Sequence, residues 1–452
     1  MSFDYDLFVI GVGSAGAAAA KAAAKRNLRV GVAEQTALGG TCLNRGCIPK
    51  KLIVYAADFA LNGKMAEDYG WNKCERHFNW TKFINSVHQH INNINESYRQ
   101  TLEKLEIKLF EDRASFVDPH KVKVGDKEVT ADKILIAVGG QPFKPDLPGI
   151  EYGITSREMF KLPHLPKQLA IVGGGYIGVE FSSMMNAFGC EVTLIDSDKV
   201  VLSGFDDDIR RGVHNGLIQR GVEFIGNSRA KEIKLCEDKL LLKLNTESED
   251  KSEKIITADT VLIATGRVPN TSGLNLESVG VELEEKGSIK VDCYSQTTQE
   301  NIFAVGDCTD RLQLTPAAKA EAEAFISTVF AKKPKTIDYG LIPCAVFARP
   351  EASSIGMTET QAKEKFGDVI KCYKAEFKPL IYQLTTKEEQ IIIKVVVKGE
   401  SEEVVGIHMV GEHAADIIQS LGVAFRKGMT KQDLDDAIAI HPTTAEEILT
   451  LG

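Results

Sequence analysis

The sequence predicts an α/β fold with two βαβ units, followed by a separate α+β segment at the C-terminal end. Two observations lead to this prediction. A strand–glycine–helix–strand pattern occurs twice, and after about Tyr339 the chain changes to long strand-like runs (391–397 and 404–409) and then helices. With 452 residues, the chain has room for roughly two to four domains. The basic run 332–335 is a plausible boundary before the last of them.

The first βαβ unit begins with the apolar run 7–10, which is typical of a buried parallel strand. The glycine cluster Gly11-Val12-Gly13-Ser14-Ala15-Gly16 follows, and then an alanine-rich helical stretch to about Arg26. A second strand over 28–33 ends in Glu34. This order of elements predicts a βαβ unit.

The same pattern returns about 160 residues later. A strand over 170–172 leads into Gly173-Gly174-Gly175-Tyr176-Ile177-Gly178, then a helix to about Phe188, and a strand over 191–195 that ends in Asp196. The distance from first glycine to acid is 23 positions in both copies. Such an internal repeat predicts two nucleotide-binding units in one chain.

Both clusters have the spacing G-x-G-x-x-G, in which each glycine has a separate purpose. The first (Gly11, Gly173) permits a tight turn, the second (Gly13, Gly175) lets the backbone approach a pyrophosphate, and the third (Gly16, Gly178) allows close helix packing. Glu34 and Asp196 can each accept hydrogen bonds from a ribose. One such cluster could be a chance group of turn glycines, but two copies with matched strands, helices and acids make chance a poor explanation.

The second unit also indicates which coenzyme it binds. A 2′-phosphate needs cationic groups just after the second strand, whereas this sequence has Asp196-Ser197-Asp198-Lys199 there. Two carboxylates would repel the phosphate. We therefore expect NADH to be preferred over NADPH.

Between and after these units, the sequence predicts a polar helix over 78–104, a strand over 131–136 and a solvated hairpin loop over 247–254. The net charge of −9 argues against a nucleic-acid or anionic-membrane surface. No apolar run approaches the ~20 residues of a membrane span, and the acidic N-terminal segment lacks the basic region of a signal peptide. We expect a cytoplasmic protein.

Nine cysteines, an odd number, do not indicate a disulfide framework, but Cys42 and Cys47 stand close together in Gly39-Gly40-Thr41-Cys42-Leu43-Asn44-Arg45-Gly46-Cys47-Ile48-Pro49-Lys50-Lys51. On a regular helix their Cα atoms would be roughly 8.7 Å apart, beyond the ~7 Å limit of a disulfide. The backbone must therefore leave the helix, which Gly46 permits. A zinc site is the alternative, but no second pair lies at ligand spacing, so no metal is expected. The following helix start and lysines should favour the Cys47 thiolate.

A histidine near the C-terminus is a second candidate for chemistry. In His441-Pro442-Thr443-Thr444-Ala445-Glu446-Glu447, a helix start carries Glu446, which could orient His441 as a base. A lone histidine is more often structural, and a capped helix with a surface histidine is the alternative.

These motifs together resemble the flavin-dependent pyridine nucleotide-disulfide oxidoreductases along the entire chain, and the glutathione reductase branch most closely. The resemblance implies an FAD-binding domain over 1–143, an NAD(P)H-binding domain over 144–269, a second part of the FAD domain over 270–338 and a dimerisation domain over 339–452. It also implies a homodimer with shared active sites.

The resemblance assigns the cofactor sites residue by residue. The first glycine motif with Glu34 is similar to the family's FAD site, as are the fingerprints 137–140 and 302–307, in which Asp307 contacts the ribityl chain. The second glycine motif is similar to the nicotinamide site, with Tyr176 as the gate over the flavin. Lys50 and Glu180 match the ion pair beside the flavin ring. Further cofactor residues implied in this way are Thr41, Gly139, Thr315 and Arg267.

The resemblance further implies the chemistry. NADH reduces FAD, which opens a Cys42–Cys47 disulfide; Cys47 stays near the flavin as a charge-transfer thiolate, while Cys42 attacks the substrate disulfide. His441, oriented by Glu446 and contributed by the partner subunit, protonates the departing thiolate. The remaining cysteines are expected to be bystanders: Cys74, Cys190, Cys236, Cys293, Cys308, Cys344 and Cys372.

The substrate positions depart from the glutathione reductase pattern. Lys21 stands where that branch has an arginine on a glycyl carboxylate, Lys319 replaces an isoleucine, and Glu323 replaces a second arginine. Ser14 and Tyr98 also belong to the implied substrate site. The two arginines for the 2′-phosphate correspond to Ser197 and Ser203.

The sequence thus predicts reduction of a low-molecular-weight disulfide: glutathione disulfide or a less anionic relative, such as an amidated or amine-conjugated form. Dihydrolipoamide dehydrogenase is the alternative enzyme and would explain an NADH preference, although it usually lacks the Leu314-Thr315-Pro316 signature. A flavin-binding redox sensor with little turnover is an alternative of another class.

Overall fold

The computed structural model describes residues 3–73, 77–246 and 253–452. Cys74 and residues 247–252, which hold most of the expected hairpin loop, lie outside these ranges. The α-helices of the described part are α1 (Ser14–Ala24), α2 (Gly40–Arg45), α3 (Cys47–Met65), α4 (Trp80–Lys104), α5 (Ser156–Met159), α6 (Tyr176–Ala187), α7 (Asp207–Gln219), α8 (Thr315–Val329), α9 (Glu359–Phe366), α10 (Ala414–Phe425) and α11 (Lys431–Asp435).

The strands of the first half are β1 (Tyr5–Ile10), β2 (Val30–Ala33), β3 (Lys108–Phe110), β4 (Ala114–Asp118), β5 (Lys121–Val124), β6 (Lys127–Ile136), β7 (Gly140–Pro142), β8 (Gln168–Val172), β9 (Glu191–Ile195) and β10 (Glu223–Ile225). Those of the second half are β11 (Ser228–Cys236), β12 (Lys239–Thr246), β13 (Glu253–Ala258), β14 (Thr260–Ile263), β15 (Arg267–Pro269), β16 (Ile302–Ala304), β17 (Cys344–Val346), β18 (Ala352–Gly356), β19 (Ile370–Phe377), β20 (Ile391–Lys398) and β21 (Glu403–Val410).

The chain divides into two compact units. The first contains Met1–Lys50, Lys82–Phe143 and Arg267–Tyr339, and the second contains Lys51–Thr81, Lys144–Gly266 and Gly340–Gly452. The four-part domain division expected from the sequence stays a prediction beside this one.

The first unit is built on a sheet whose centre is β1. Strands β2 and β6 flank β1 in parallel, with Val9 opposite Val32 on one side and Leu135 on the other. Strand β3 extends the sheet beyond β2, β16 pairs with the end of β6, and the start of β6 turns into an antiparallel meander with β5 and β4. Because Leu7, Val9 and the alanines of α1 pack into one core, the predicted βαβ unit is confirmed.

The second unit repeats this arrangement over residues 168–263. Strands β10, β9, β8 and β14 form a parallel sheet in that order, and Ile171 stands opposite Leu194 and Leu262. Helix α6 connects β8 to β9, so the second βαβ unit is also confirmed. Strands β11, β12 and β13 add a small antiparallel sheet.

The C-terminal segment of the second unit is a five-stranded antiparallel sheet in the order β17-β18-β21-β20-β19. Helix α10 packs on it through Ala414 and Ile418, and α7 also contacts β20 and β21. Lys394 on β20 is 3% exposed and pairs with Asp206 at 3.0 Å and Asp208 at 2.9 Å, which join the start of α7 to the sheet. The predicted fold class, with two Rossmann-like units and an α+β C-terminal domain, is confirmed.

Among the residues that the structure describes, no helix has the length and apolar character that a membrane crossing requires.

Candidate active site

The cysteine pair of the first unit lies at a break between two helices. Cys42 is in α2, Cys47 is the first residue of α3, and Gly46 separates the two helices. A Cβ atom at Gly46 would lie 2.9 Å from the carbonyl oxygen of Thr41, so a larger residue would push the backbone apart there. The helix therefore breaks where the cysteine spacing requires it to break.

Cys42 receives most of the polar contacts of the pair. Both cysteines are thiols in the structure, and the Cys47 thiol is hydrogen-bonded to Cys42. This hydrogen bond is the main reason that the pKa of Cys42 is lowered to about 6; bonds with Thr315 and Ser14 and the charge of Lys319 lower it further, against the effect of burial. These contacts favour the thiolate form of Cys42.

The expected preference for the Cys47 thiolate stays a prediction, since in the thiol pair of this structure the hydrogen bond between the cysteines favours the Cys42 thiolate. The pKa of Cys47 is raised, chiefly because its thiol hydrogen bonds to Cys42, and because Cys47 would have to ionise beside the Cys42 charge. The Thr315 hydroxyl lies 3.6 Å from the Cys47 sulfur and partly offsets this. The hydrogen bond to Cys42 thus raises the Cys47 pKa by more than the charge of the neighbouring Lys50 lowers it.

Four of the five expected substrate residues interact with Cys42 or with one another. Ser14 and Lys319 act on Cys42 as described above. The Lys21 ammonium lies 4.4 Å from the Tyr98 ring centroid, and its pKa is lowered by burial and by the charge of Lys319. Burial and the Cys42 charge raise the pKa of Tyr98. The fifth residue, Glu323, is exposed one helical turn beyond Lys319 on α8.

The first glycine loop has the form that a bound dinucleotide needs. Cβ atoms would lie 2.5 Å from the Ala137 oxygen at Gly11 and 1.9 Å from the Gly11 oxygen at Gly16, so only glycine fits at both positions. At Gly13, in contrast, a Cβ atom would meet only the Gly40 Cα, at 3.9 Å, and as N-cap of α1 this glycine makes no side-chain cap. The uncapped amides of α1 are suited to a pyrophosphate, so these residues fit FAD.

Glu34 is tied to the same loop. One of its carboxylate oxygens accepts a hydrogen bond from the Val12 amide at 2.9 Å, and the other accepts from the amide and hydroxyl of Thr36, both at 2.9 Å. Thr41 is the second residue of α2, and the first, Gly40, packs against the loop: a Cβ atom at Gly40 would lie 2.8 Å from the Gly13 Cα. The carboxylate is therefore fixed at the end of β2, where the resemblance places a ribose.

Asp307 and Arg267 form an ion pair of 3.0 Å in the first unit, and Arg267 is nearly buried. Gly139 has a φ of +67°, and no atom would crowd a Cβ there, which leaves the backbone approachable. These contacts place three of the expected cofactor residues on the paired strands β7 and β15 or beside them.

Sequence reasoning missed Glu321, which holds the backbone next to Asp307. Glu321 is 1% exposed, accepts a hydrogen bond from the Gly306 amide at 2.6 Å and from the Tyr339 hydroxyl at 2.7 Å, and pairs with Arg311 at 3.2 Å. The signal was present in the sequence: helical spacing puts this acid on the apolar face of α8, where an unpartnered carboxylate would be costly.

The second glycine loop, in the second unit, has the same geometry as the first. Cβ atoms at Gly173 and Gly178 would strike backbone oxygens at 2.4 and 1.9 Å, whereas Gly175 caps α6 and faces open space. Asp196 accepts hydrogen bonds from the Gly174 amide and, at 2.8 Å, from the Asp198 amide. These residues fit a pyridine nucleotide as the first loop fits FAD.

The segment after Asp196 bears on coenzyme choice. The nearest arginine on α7, Arg210, donates to the carbonyl oxygens of Val200 at 2.9 Å and Val201 at 3.1 Å, and it pairs with Asp198 at 3.4 Å. Its charge is thus already offset by a carboxylate of the same segment.

Glu180 and Tyr176 both lie on α6 in the second unit. Glu180 is buried, and its Oε1 accepts a hydrogen bond from the Phe347 amide at 2.9 Å. Tyr176, the first residue of the helix, is exposed. Lys50 belongs to the first unit, so its pairing with Glu180 stays a prediction.

His441 and Glu446 form the expected pair within the second unit. The His441 Nδ1 lies 3.2 and 3.1 Å from the two Glu446 oxygens, and the histidine side chain is 81% exposed. Because the carboxylate can only accept, Nδ1 carries the proton and Nε2 is available to solvent. Hydrogen bonds from the Thr443 amide and from His441 lower the pKa of Glu446, which keeps it ionised.

Comparison with known proteins agrees with this geometry. Residues 5–322 match the family model "Pyridine nucleotide-disulphide oxidoreductase", and residues 342–451 match its dimerisation domain. The chain therefore belongs to the pyridine nucleotide-disulphide oxidoreductase family, as an FAD-dependent disulfide reductase that uses a pyridine nucleotide.

Within this family the chain is close to glutathione reductase. It is 44% identical to the glutathione reductase of Nostoc sp. over 462 residues, with 100% of both chains covered, and 40% identical to the chloroplastic/mitochondrial enzyme of Pisum sativum, with 99% and 82% covered. The HOCl-induced flavoprotein disulfide reductase RclA from Escherichia coli has a similar structure, with a TM-score of 0.87, 29% identity and 99% of each chain covered.

The lowered pKa of Cys42 generates a prediction for the reduced protein. Alkylation of Cys42 by iodoacetamide, followed by mass spectrometry, should rise with pH through a midpoint near 6, since only the thiolate reacts. Lys319→Ala should move this midpoint upward, because the lysine charge stabilises the thiolate. Lys332→Ala, which removes an exposed lysine of the same unit, serves as the control. A midpoint near the ordinary value for a thiol, or no effect of Lys319→Ala, would contradict the assignment.

Proposed function

We propose that this enzyme reduces a low-molecular-weight disulfide with NADH, through a redox disulfide formed by Cys42 and Cys47. In the overall reaction one substrate disulfide, one NADH and one proton yield two thiols and NAD⁺. The observation that supports this most directly is the hydrogen bond between the two cysteines across the helix break at Gly46, which lowers the pKa of Cys42 to about 6. Bound FAD would supply the two-electron transfer from NADH to this pair.

The contacts of each sulfur indicate a different role for each cysteine. Cys42, as the thiolate, attacks one sulfur of the substrate, releases the first product thiol and leaves a mixed disulfide. Cys47 then loses its proton and attacks the Cys42 sulfur, which releases the second thiolate and forms the Cys42–Cys47 disulfide. Thr315 touches Cys47 and also lowers the pKa of Cys42, so it serves both steps.

The departing thiolates need a proton donor, and we assign this role to His441. Its Nδ1–H bond to Glu446 stabilises the protonated ring, so that Nε2 can deliver a proton to a sulfur. Following the family pattern, the histidine that serves one site is His441 of the partner subunit, and the enzyme is a homodimer. The match to the dimerisation domain supports this arrangement.

NADH is the proposed coenzyme because the segment after Asp196 offers no uncommitted arginine. Ser197 and Ser203 stand at the two positions that carry arginine in NADPH-dependent relatives, and Arg210 is paired with Asp198. A 2′-phosphate would therefore meet two carboxylates in the 196–199 segment, with Lys199 as the single cation of that segment and no arginine to bind the phosphate in two-pronged fashion.

Steady-state kinetics should give NADH the higher kcat/KM, by about tenfold or more. The double variant Ser197→Arg with Ser203→Arg should move the preference toward NADPH by a similar factor, because it restores two donors for the phosphate. Asp238→Arg, in the turn between β11 and β12, adds the same net charge to the same unit and should change neither value. A wild-type preference for NADPH would refute the proposed coenzyme.

The proposed substrate site has a cation and an anion on α8 and a second cation on α1. Lys319 supports the Cys42 thiolate, while Glu323 lies one turn further along α8. Lys21, beside Tyr98, adds a second cation. A disulfide with an anionic group near Lys21 and Lys319, and an uncharged or cationic group toward Glu323, fits this distribution better than glutathione disulfide, which is anionic on both arms.

A panel of disulfides tests this proposal: glutathione disulfide, its bis-amide, an amine-conjugated form and lipoamide. The wild-type enzyme should act on the amidated or amine-conjugated forms in preference to glutathione disulfide, and Glu323→Arg should raise kcat/KM for glutathione disulfide by about tenfold. Glu285→Arg, an exposed change of equal charge in the same unit, should have no such effect.

Cys42→Ser should abolish the reduction of every disulfide in the panel. If that variant kept its activity, or if the wild-type enzyme reduced no disulfide, the proposed function would be wrong. A marked preference for lipoamide would instead identify a dihydrolipoamide dehydrogenase.

A further inference from the structure

Two backbone amides of the second unit hold one side of α6. The segment Phe347-Ala348-Arg349-Pro350-Glu351, here named the 347–351 segment, runs past this helix. The Phe347 amide donates to Glu180 Oε1 at 2.9 Å, and the Arg349 amide donates to Ser183 Oγ at 2.7 Å. Ser183 lies about one turn after Glu180, so both bonds attach the 347–351 segment to one face of α6. Since Glu180 Oε1 accepts one of these bonds, the direction of its carboxylate depends on where the segment lies.

The side chain of Arg349 connects the same segment to α3. Its Nε donates to one oxygen of Asp58 at 2.7 Å, and its Nη2 donates to the other at 2.5 Å. The third nitrogen, Nη1, donates to the Ala348 carbonyl oxygen at 2.8 Å. The two side chains are only 19% and 25% exposed, so water screens this two-pronged ion pair weakly.

A second set of contacts supports the first. Glu351 is buried and lies 3.6 Å from Arg349 and 3.9 Å from Lys51, and the Lys51 ammonium lies 4.0 Å from the centre of the Phe347 ring. Lys51 and Asp58 are seven residues apart on α3 and therefore share one face of that helix. The 347–351 segment is thus fixed to α3 at two places about two turns apart.

We propose that Arg349 is a positioning residue that fixes the Glu180 carboxylate through the 347–351 segment. The inference rests on the proposed function, in which Glu180 belongs to the group of residues beside the flavin. The Arg349 side chain itself bonds to Asp58, to Glu351 and to the Ala348 carbonyl oxygen. It acts through the Phe347 amide, whose position sets the direction of Glu180 Oε1 and thereby the geometry of electron transfer from the nicotinamide.

The ion pair offers variants that separate this role from general stability. Arg349→Lys keeps the positive charge but loses the planar pair of donors, and Asp58→Asn keeps the shape but loses the charge. The pair of Arg220 and Glu389, at 2.8 Å, is also two-pronged and poorly exposed, and it belongs to the same unit. Arg220→Lys is therefore the matched control.

Hydrogen exchange of the FAD-loaded protein tests the positioning itself, without any need for turnover. Mass spectrometry of a peptide covering 343–351 should show exchange about tenfold faster in Arg349→Lys and Asp58→Asn than in the wild type, since the segment is held less firmly. Arg220→Lys should leave this peptide unchanged. Equal exchange in the wild type and Arg349→Lys would overturn the proposal.

Stopped-flow kinetics then test the consequence for the reaction. Both variants should reduce the flavin with NADH about tenfold more slowly, while the reoxidation of the reduced enzyme by substrate disulfide keeps its wild-type rate. If both half-reactions slow equally, or if Arg220→Lys has the same effect, Arg349 is merely structural. Failure of NADH to reduce the wild-type flavin would refute the proposed function, and the exchange result would still decide whether Arg349 fixes the segment.

Discussion

The chemistry of this chain depends on the break between α2 and α3 at Gly46. A continuous helix would hold Cys42 and Cys47 too far apart to form a bond, whereas the break lets the second thiol donate a hydrogen bond to the first. The same break makes Cys47 the first residue of a new helix, so that α3 continues from the sulfur to Asp58 and its ion pair with Arg349. One glycine thus governs both the contact of the sulfurs and the start of the helix that carries one of them.

The two glycine loops have the same backbone geometry, but the side chains around them differ. In each loop an acid at the end of the second strand accepts a hydrogen bond from the amide between the first two glycines, as Glu34 does from Val12 and Asp196 from Gly174. The other oxygen of Glu34 is bound by Thr36, whereas Asp196 binds the amide of a further acid, Asp198. The two loops thus share the backbone bond to the acid and differ in what binds the other carboxylate oxygen.

Both βαβ units could be predicted because strand burial and tight turns are encoded by neighbouring residues. The helix break at Gly46 also followed from the sequence, since helix geometry alone forbids a close pair at that spacing. The hydrogen bonds of Ser14 and Thr315 with Cys42 follow from no local pattern, because both residues come from distant parts of the chain. Asp58 and Arg349 are 291 residues apart, and no local pattern pairs them. Long-range side-chain contacts of this kind are decided by packing.

Mapping of disulfides before and after reduction shows whether Cys42 and Cys47 form the redox pair. Purified protein is alkylated anaerobically, with and without prior NADH, and digested for mass spectrometry. We expect a linked Cys42–Cys47 species without NADH and two alkylated thiols with it, while the other cysteines react equally in both samples. If the two cysteines are alkylated to the same extent with and without NADH, or if another pair changes instead, Cys42 and Cys47 are not the redox pair.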